Sequence, residues 1–165
     1  MNDITDPQAL AEAAAQAMWR TDAASQGLGM HLLRVAPGEA EIAMEIEPRM
    51  ANGHGSCHGG FLFALADSAF AFACNSFDRR TVGQACSITY LRPGVVGTTL
   101  TAHGRQVAQA GRSGVYEVRI TDPTGETIAI FQGQSREIGG SVTANSAGTA
   151  AAGSPPESGA GPRRP

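Results

Sequence analysis

The sequence predicts an α+β domain in which a run of antiparallel strands wraps one long, apolar helix. Three observations carry this. Residues 59–77, GGFLFALADSAFAFACNSF, are the most hydrophobic stretch of the chain, about five helical turns long. Four segments with strand character follow it, and two precede it across Pro37-Gly38. The chain has 165 residues, 42% of them hydrophobic, which is one domain with a real core.

In chain order, Asp6-Pro7 caps a first helix expected to run to about Ser25, with proline at the first helical position. LGMHLLRVA and GEAEIAMEIE are the first two strands. In the second, Ala40, Ile42, Met44 and Ile46 share one face, and Glu39, Glu41 and Glu45 lie on the other. A glycine-rich loop over 51–60 leads into the long helix. The later strands are expected over 82–92, 98–109, 114–121 and 127–138, separated by RPG, QAGRSG and DPTG turns. From Gly139 on, the chain is almost all Gly, Ala, Ser, Thr and Pro, and reads as a disordered tail. The expected organisation is a helical segment over 1–27, the main domain over 28–139 and the tail over 140–165.

The charge balance excludes some functions and suggests others. A net charge of -3 gives no reason to expect a nucleic-acid surface. All 12 basic residues are arginine, a bias that fits genome composition better than phosphate binding. Charged residues make up only 16% of the chain, below the usual quarter, so part of the surface is expected to be covered by copies of itself. No stretch reaches the roughly 20 apolar residues of a membrane span. The N-terminus carries acids where a signal peptide has bases, and Cys57, Cys74 and Cys86 are an odd set without CxxC spacing. A reduced, cytoplasmic protein is expected.

One charge is out of place. Between Arg49 and Asp78 the only Asp, Glu, Lys or Arg is Asp67, two turns inside the apolar helix and on one stripe with Phe63, Phe70 and Cys74. An unpaired carboxylate there costs several kcal/mol or takes up a proton. Asp67 therefore either faces water, meets an arginine across an interface, or is poised to attack or to activate water. At the helix entry, His58-Gly59-Gly60 leaves backbone amides free at the positive end of the dipole, where they can hold a developing oxyanion. Asn52 and His58 can add donors, although His58 can equally be a side-chain cap and the glycines a tight loop. Gly59 and Asp67 lie eight residues apart, about 12 Å along a helix axis, too far to serve one reacting group. Two antiparallel copies of the helix about a two-fold axis would bring Gly59 of one to Asp67 of the other. If both are catalytic, the protein is at least a dimer.

The segment N-x5-HGG-x6-AD (Asn52, His58, Gly59, Gly60, Ala66, Asp67), followed by CSITYLRPG and GRSGVYEVRITDPTGETIAIFQGQSREIGG, resembles the PaaI family of hotdog-fold acyl-CoA thioesterases over about Leu28 to Gly139. The resemblance implies a hotdog fold, a central helix wrapped by a curved antiparallel sheet, paired into dimers and usually tetramers. It implies hydrolysis of phenylacetyl-CoA and its ring-hydroxylated forms in phenylacetate degradation, with coenzyme A entering as part of the substrate and no other cofactor. Asp67 would be the nucleophile or general base, Gly59 the oxyanion donor, and Asn52 and His58 would orient the thioester carbonyl. Gly60 would line the substrate site, and Arg92, Arg112 and Ser113 would contact coenzyme A. Phe63 and Phe70 flank Asp67 and are candidates to border an aromatic acyl pocket. Some relatives use a Ser or Thr on the strand after the helix to hold water. Here Thr81, Val82, Gly83 and Gln84 give no clear counterpart.

Other readings have less support. His54, Cys57 and His58 lie in a loop without a clear fourth ligand, so no metal site is expected. Cys57 as a nucleophile needs a facing histidine, and adjacent residues rarely face one another. His31 and His103 fall in strand patterns as surface or packing residues. The alternatives carried forward are a thioesterase for medium or long acyl chains and a non-catalytic acyl-CoA-binding domain, which would not need Asp67. A hydratase is disfavoured because its usual Asp-x4-His pair is absent.

Overall fold

Asp6 accepts hydrogen bonds from the Gln8 and Ala9 amides and opens helix α1, Pro7–Trp19, in a computed structural model that describes residues 6–146. The first helix is shorter than its composition predicts. Thr21 bonds back to Met18, and the Asp22 carboxylate takes the Ser25 amide at 2.9 Å, which caps a separate helix α2, Ala23–Gly27. An Asp inside a helix competes for backbone amides, and here it starts a new helix.

The remaining elements are β1 (Met30–Ala36), β2 (Glu39–Glu45), a 3-10 turn (Pro48–Met50), α3 (Gly59–Asn75), β3 (Arg79–Tyr90), β4 (Thr99–Ala110), β5 (Ser113–Thr121), β6 (Thr127–Ser141) and α4 (Val142–Ser146). All six strands form one antiparallel sheet in the order β1-β2-β4-β5-β6-β3. The sheet packs around α3, whose Leu65, Ala66, Ala69, Phe70, Phe72 and Ala73 are buried to 1% exposure or less. The core side expected of the second strand is found, with Ala40, Ile42, Met44 and, just past the strand's end, Ile46 buried to 1% exposure or less, but Ala43 on the other face is buried as well.

Glycines let the sheet close on the helix. A Cβ at Gly104 would lie 3.1 Å from the Ala69 carbonyl oxygen, and one at Gly133 only 2.8 Å from the Phe70 ring. Gly133→Ala is expected to destabilise the fold by about 1–3 kcal/mol, because Phe70 is 1% exposed and packed between β6 and Tyr116. Urea unfolding measures this, and an unchanged midpoint would show that Phe70 can move.

Order extends past the boundary expected at Gly139. β6 runs to Ser141, pairing it with Arg79, and α4 follows. Asp78 holds this extension. At φ 57° it turns the chain out of α3, and its carboxylate accepts from the Thr143 amide and from the Ser141 and Thr143 hydroxyls. The rest of the tail, 147–165, lies outside the described residues. Among the described residues no helix is long and apolar enough to cross a membrane.

β3 is the exposed edge of the sheet. Among the described residues only β6 pairs with it, and ten of its twelve residues are exposed.

Candidate active site

The loop before α3 is held from within and from outside. The Asn52 side-chain oxygen accepts from the His54 and Ser56 amides at 2.9 and 3.3 Å, and its amide nitrogen donates to Ser56 Oγ. From outside, the Cys57 amide donates to the Gly94 carbonyl of the RPG turn and the His58 amide to Met50. Asn52 therefore shapes the loop, with one side-chain N–H still free for a ligand. His58 is the N-cap of α3, and its Nδ1 accepts from the Gly60 amide at 2.9 Å. With Gly60 satisfied in this way, the Gly59 amide donates no hydrogen bond among the described residues. It stands at the first position of a 17-residue helix, where the dipole favours negative charge.

Asn52, Ser56, Gly59, Tyr90 and Arg92 line one cavity. Tyr90 is the member that sequence reasoning missed. Its hydroxyl donates to the Gly59 carbonyl at 3.0 Å, and its ring would sit 2.9 Å from a Cβ at position 59. A side chain at position 59 would therefore press on the end of the Tyr90 ring. The sequence signal was an aromatic residue two places before the RPG turn, which reads as an ordinary strand residue. Tyr90→Phe is expected to lower kcat about three- to tenfold with little change in KM, the loss of one hydrogen bond that fixes the helix entry. A change confined to KM would show that Tyr90 contacts substrate only.

Asp67 stands apart from this cavity in the chain, as the helical rise requires. It is half-buried, and its carboxylate has no hydrogen-bond or ion-pair partner among the described residues; burial raises its pKa above the usual carboxylate value. No arginine meets it among the described residues. Two thiols lie close enough to feel its charge. Burial and then Asp67 raise Cys86 on β3, and burial with a smaller push from Asp67 takes Cys74 up to about 12. Cys57 is raised by burial as well, so none of the three is primed as a thiolate. Among the described residues no three His, Cys, Asp or Glu side chains gather as a metal cage.

The remaining candidates are dispersed. Phe63 is half-buried against Phe131, and Phe70 is fully packed against Phe131 and Tyr116, so both are anchored in the core beside the Asp67 stripe. Arg92 pairs with Glu126 at 2.8 Å and bonds the Thr127 carbonyl. Both partners of that ion pair are more than half exposed, so a phosphate could displace Glu126 at little cost. Arg112 donates to the Glu137 carbonyl, and Ser113 accepts from Arg136. These two flank the C-terminal end of α3, away from Arg92.

A long helix in the curve of an antiparallel sheet, with a half-buried carboxylate unpaired among the described residues and a free amide at the helix entry, fits the hotdog thioesterases. The thioesterase superfamily model matches residues 54–129. The chain is 45% identical over 129 residues to the acyl-coenzyme A thioesterase PaaI of Escherichia coli, covering 78% of this chain and 92% of that one. The structure of the E. coli PaaI protein from the phenylacetic acid degradation operon superposes with a TM-score of 0.81 at 43% identity, over 82% of this chain and 99% of that one. A hypothetical thioesterase protein from Streptococcus pneumoniae, solved with coenzyme A, superposes with a TM-score of 0.64 at 25% identity, over 67% and 89% of the two chains. The chain belongs to the hotdog-fold thioesterase superfamily and, within it, to the PaaI family; it is a thioester hydrolase.

Proposed function

We propose that the protein hydrolyses acyl-CoA thioesters, with phenylacetyl-CoA and its ring-hydroxylated forms as substrates, and so returns coenzyme A from phenylacetate breakdown. The observation that carries this is Asp67, a carboxylate half-buried without a partner in a helix whose entry offers a free Gly59 amide. In this reading Asp67 attacks the thioester carbonyl or activates water, and Gly59 holds the oxyanion. Asn52 and His58 orient the carbonyl, and Gly60 lines the approach. The likeness to PaaI supports the arylacetyl assignment. Water and these residues suffice for hydrolysis, so the reaction needs no metal or redox cofactor.

The working unit is a dimer, paired further as a tetramer. A free edge along β3 favours pairing with a second copy, and the roughly 12 Å between Gly59 and Asp67 requires it if both act on one carbonyl. A two-fold axis perpendicular to that edge carries the Arg112–Ser113 end of one copy toward the Arg92 end of the other. Phosphates of coenzyme A would then meet both.

A kinetic panel of aryl and aliphatic acyl-CoAs tests the assignment. The highest kcat/KM is expected for arylacetyl-CoAs, with activity unaffected by chelators. Preference for long aliphatic chains would overturn the arylacetyl substrate and leave a thioesterase of broader class. Binding of acyl-CoA without turnover would leave only a binding domain.

A further inference from the structure

Asn52 is followed by Gly53, and the loop around this pair holds the Asn52 side chain as a reactant is held. The Gly55 amide closes a turn on the Asn52 main-chain carbonyl at 3.0 Å, and the Asn52 amide bonds the Ser56 carbonyl at 2.7 Å. Inside that turn the Asn52 side chain folds back along its own main chain, and Oδ1 accepts from the His54 and Ser56 amides at 2.9 and 3.3 Å. Two backbone N–H groups on one carbonyl oxygen are the donors that steady an oxyanion when such a carbonyl is attacked. The Ser56 hydroxyl bridges the rest of the side-chain amide. It accepts from Nδ2 at 3.2 Å and donates toward Oδ1 at 3.4 Å.

A nucleophile stands next to this activated carbonyl. The Gly53 amide forms no hydrogen bond among the described residues, and Gly53 is exposed to water. Neither backbone conformation nor crowding requires glycine there. Gly55, at φ 79°, occupies the left-handed region, whereas Gly53 does not, and a Cβ at Gly53 would meet nothing within 4 Å. What glycine supplies is an uncrowded main-chain nitrogen beside the Asn52 side-chain carbonyl.

We infer that Asn52-Gly53 is a self-modification site, at which Asn52 loses its side-chain nitrogen and the enzyme is thereby turned off. The Gly53 nitrogen gives its proton to solvent and attacks Asn52 Cγ. A C–N bond forms to Gly53 and the Cγ–Nδ2 bond breaks. The departing nitrogen takes a proton through Ser56 Oγ and leaves as ammonia. Water then opens the succinimide ring at either carbonyl, to aspartate or isoaspartate, and nothing is oxidised or reduced. The loss of activity rests on the reading in which Asn52 orients the thioester carbonyl. Asn52 and Gly59 line one cavity. Aspartate there offers no N–H to that carbonyl and sets a negative charge beside the oxyanion held by Gly59. Isoaspartate also lengthens the main chain within the turn that leads into α3.

The test ages wild type and Gly53→Ala, both checked for native circular dichroism, in warm, mildly alkaline buffer beside a synthetic peptide of residues 50–57. Peptide mapping reads the replacement of NH by O at Asn52, and phenylacetyl-CoA turnover is followed on the same samples. Asn52 in the folded protein is expected to convert at least as fast as in the peptide. Asn75, buried and bonded to the Ala71 and Thr81 carbonyls, should stay intact. Gly53→Ala should start with wild-type activity and convert about tenfold more slowly, since a Cβ crowds the attacking nitrogen. Turnover should fall in step with conversion, modified chains losing about 10²-fold, as for the removal of one oxyanion donor. Slower conversion in the fold than in the peptide, equal rates in wild type and Gly53→Ala, or undiminished turnover after conversion would each overturn the inference and leave thioester hydrolysis standing. Fresh wild type that turns over no acyl-CoA would remove the thioesterase reading and the inactivation with it.

Discussion

Asp67→Asn should lose about 10²- to 10⁴-fold in kcat, the range ascribed to a positioned base, and should at the same time melt at a higher temperature than wild type. The two effects have one cause. Burial places Asp67 in surroundings that disfavour its charge and raises its pKa in the folded chain. Because the folded-state value exceeds the unfolded one, the folded protein binds this proton more tightly. Wild-type stability therefore rises as pH falls from above the raised value toward the ordinary carboxylate value, and levels off below it. Asparagine removes the charge and with it the penalty, so the gain over wild type should be present at neutral pH and vanish in acid. Thermal melts of both proteins from pH 4 to pH 8 check this. The same pKa sets the acid limb of catalysis. Asp67 must be ionised to attack or to activate water, so kcat/KM should fall with pH through a value above the usual carboxylate range. A variant both less active and less stable at neutral pH would mean that Asp67 is a structural residue with a partner outside the chain.

Mixing two dead variants should restore activity. Gly59→Pro removes the amide assigned to the oxyanion, and His58, already extended at φ -63° and ψ 135°, tolerates a following proline. The bulk added at position 59 meets the far end of Tyr90, a side chain on the β3 edge that is 49% exposed as a whole and can yield. In a heterodimer of Gly59→Pro with Asp67→Asn, one site would join both intact contributions and the other both defects. Each heterodimer should then recover up to about half the activity of a wild-type dimer, since one of its two shared sites is whole. A tag on one chain measures how many heterodimers form, and activity should follow that number. Tagged heterodimers with native structure and no activity would show that Gly59 and Asp67 do not share a carbonyl.

What the sequence revealed, and what it hid, follows from the range of the forces involved. The α3 helix, the alternation of β2 and the oddity of Asp67 are local patterns, and they appear as such in the chain. Gly59 and His58 were legible because a helix entry has a local signature. The break at Asp22 was hidden because a cap and a mid-helix aspartate look alike until the backbone is seen. The order past Gly139 depends on Asp78, more than sixty residues earlier, and the tail's small residues conceal that bond. Tyr90 acquires its meaning from a contact between sheet and helix entry, with Gly59, which no spacing rule reaches.

The position of β3 in the sheet also sets a sequence of events during synthesis. β3 is made third among the strands, yet its one neighbour among the described residues is the sixth. Between the emergence of Tyr90 and that of Ser141 a ribosome working at about 5–20 residues per second needs on the order of several seconds. For that time the nascent strand has no hydrogen-bonded partner at all. Arg79, Arg80, Gln84, Ser87 and Thr89 give it polar cover meanwhile, which protects a newborn chain from pairing with the wrong strand on a crowded polysome.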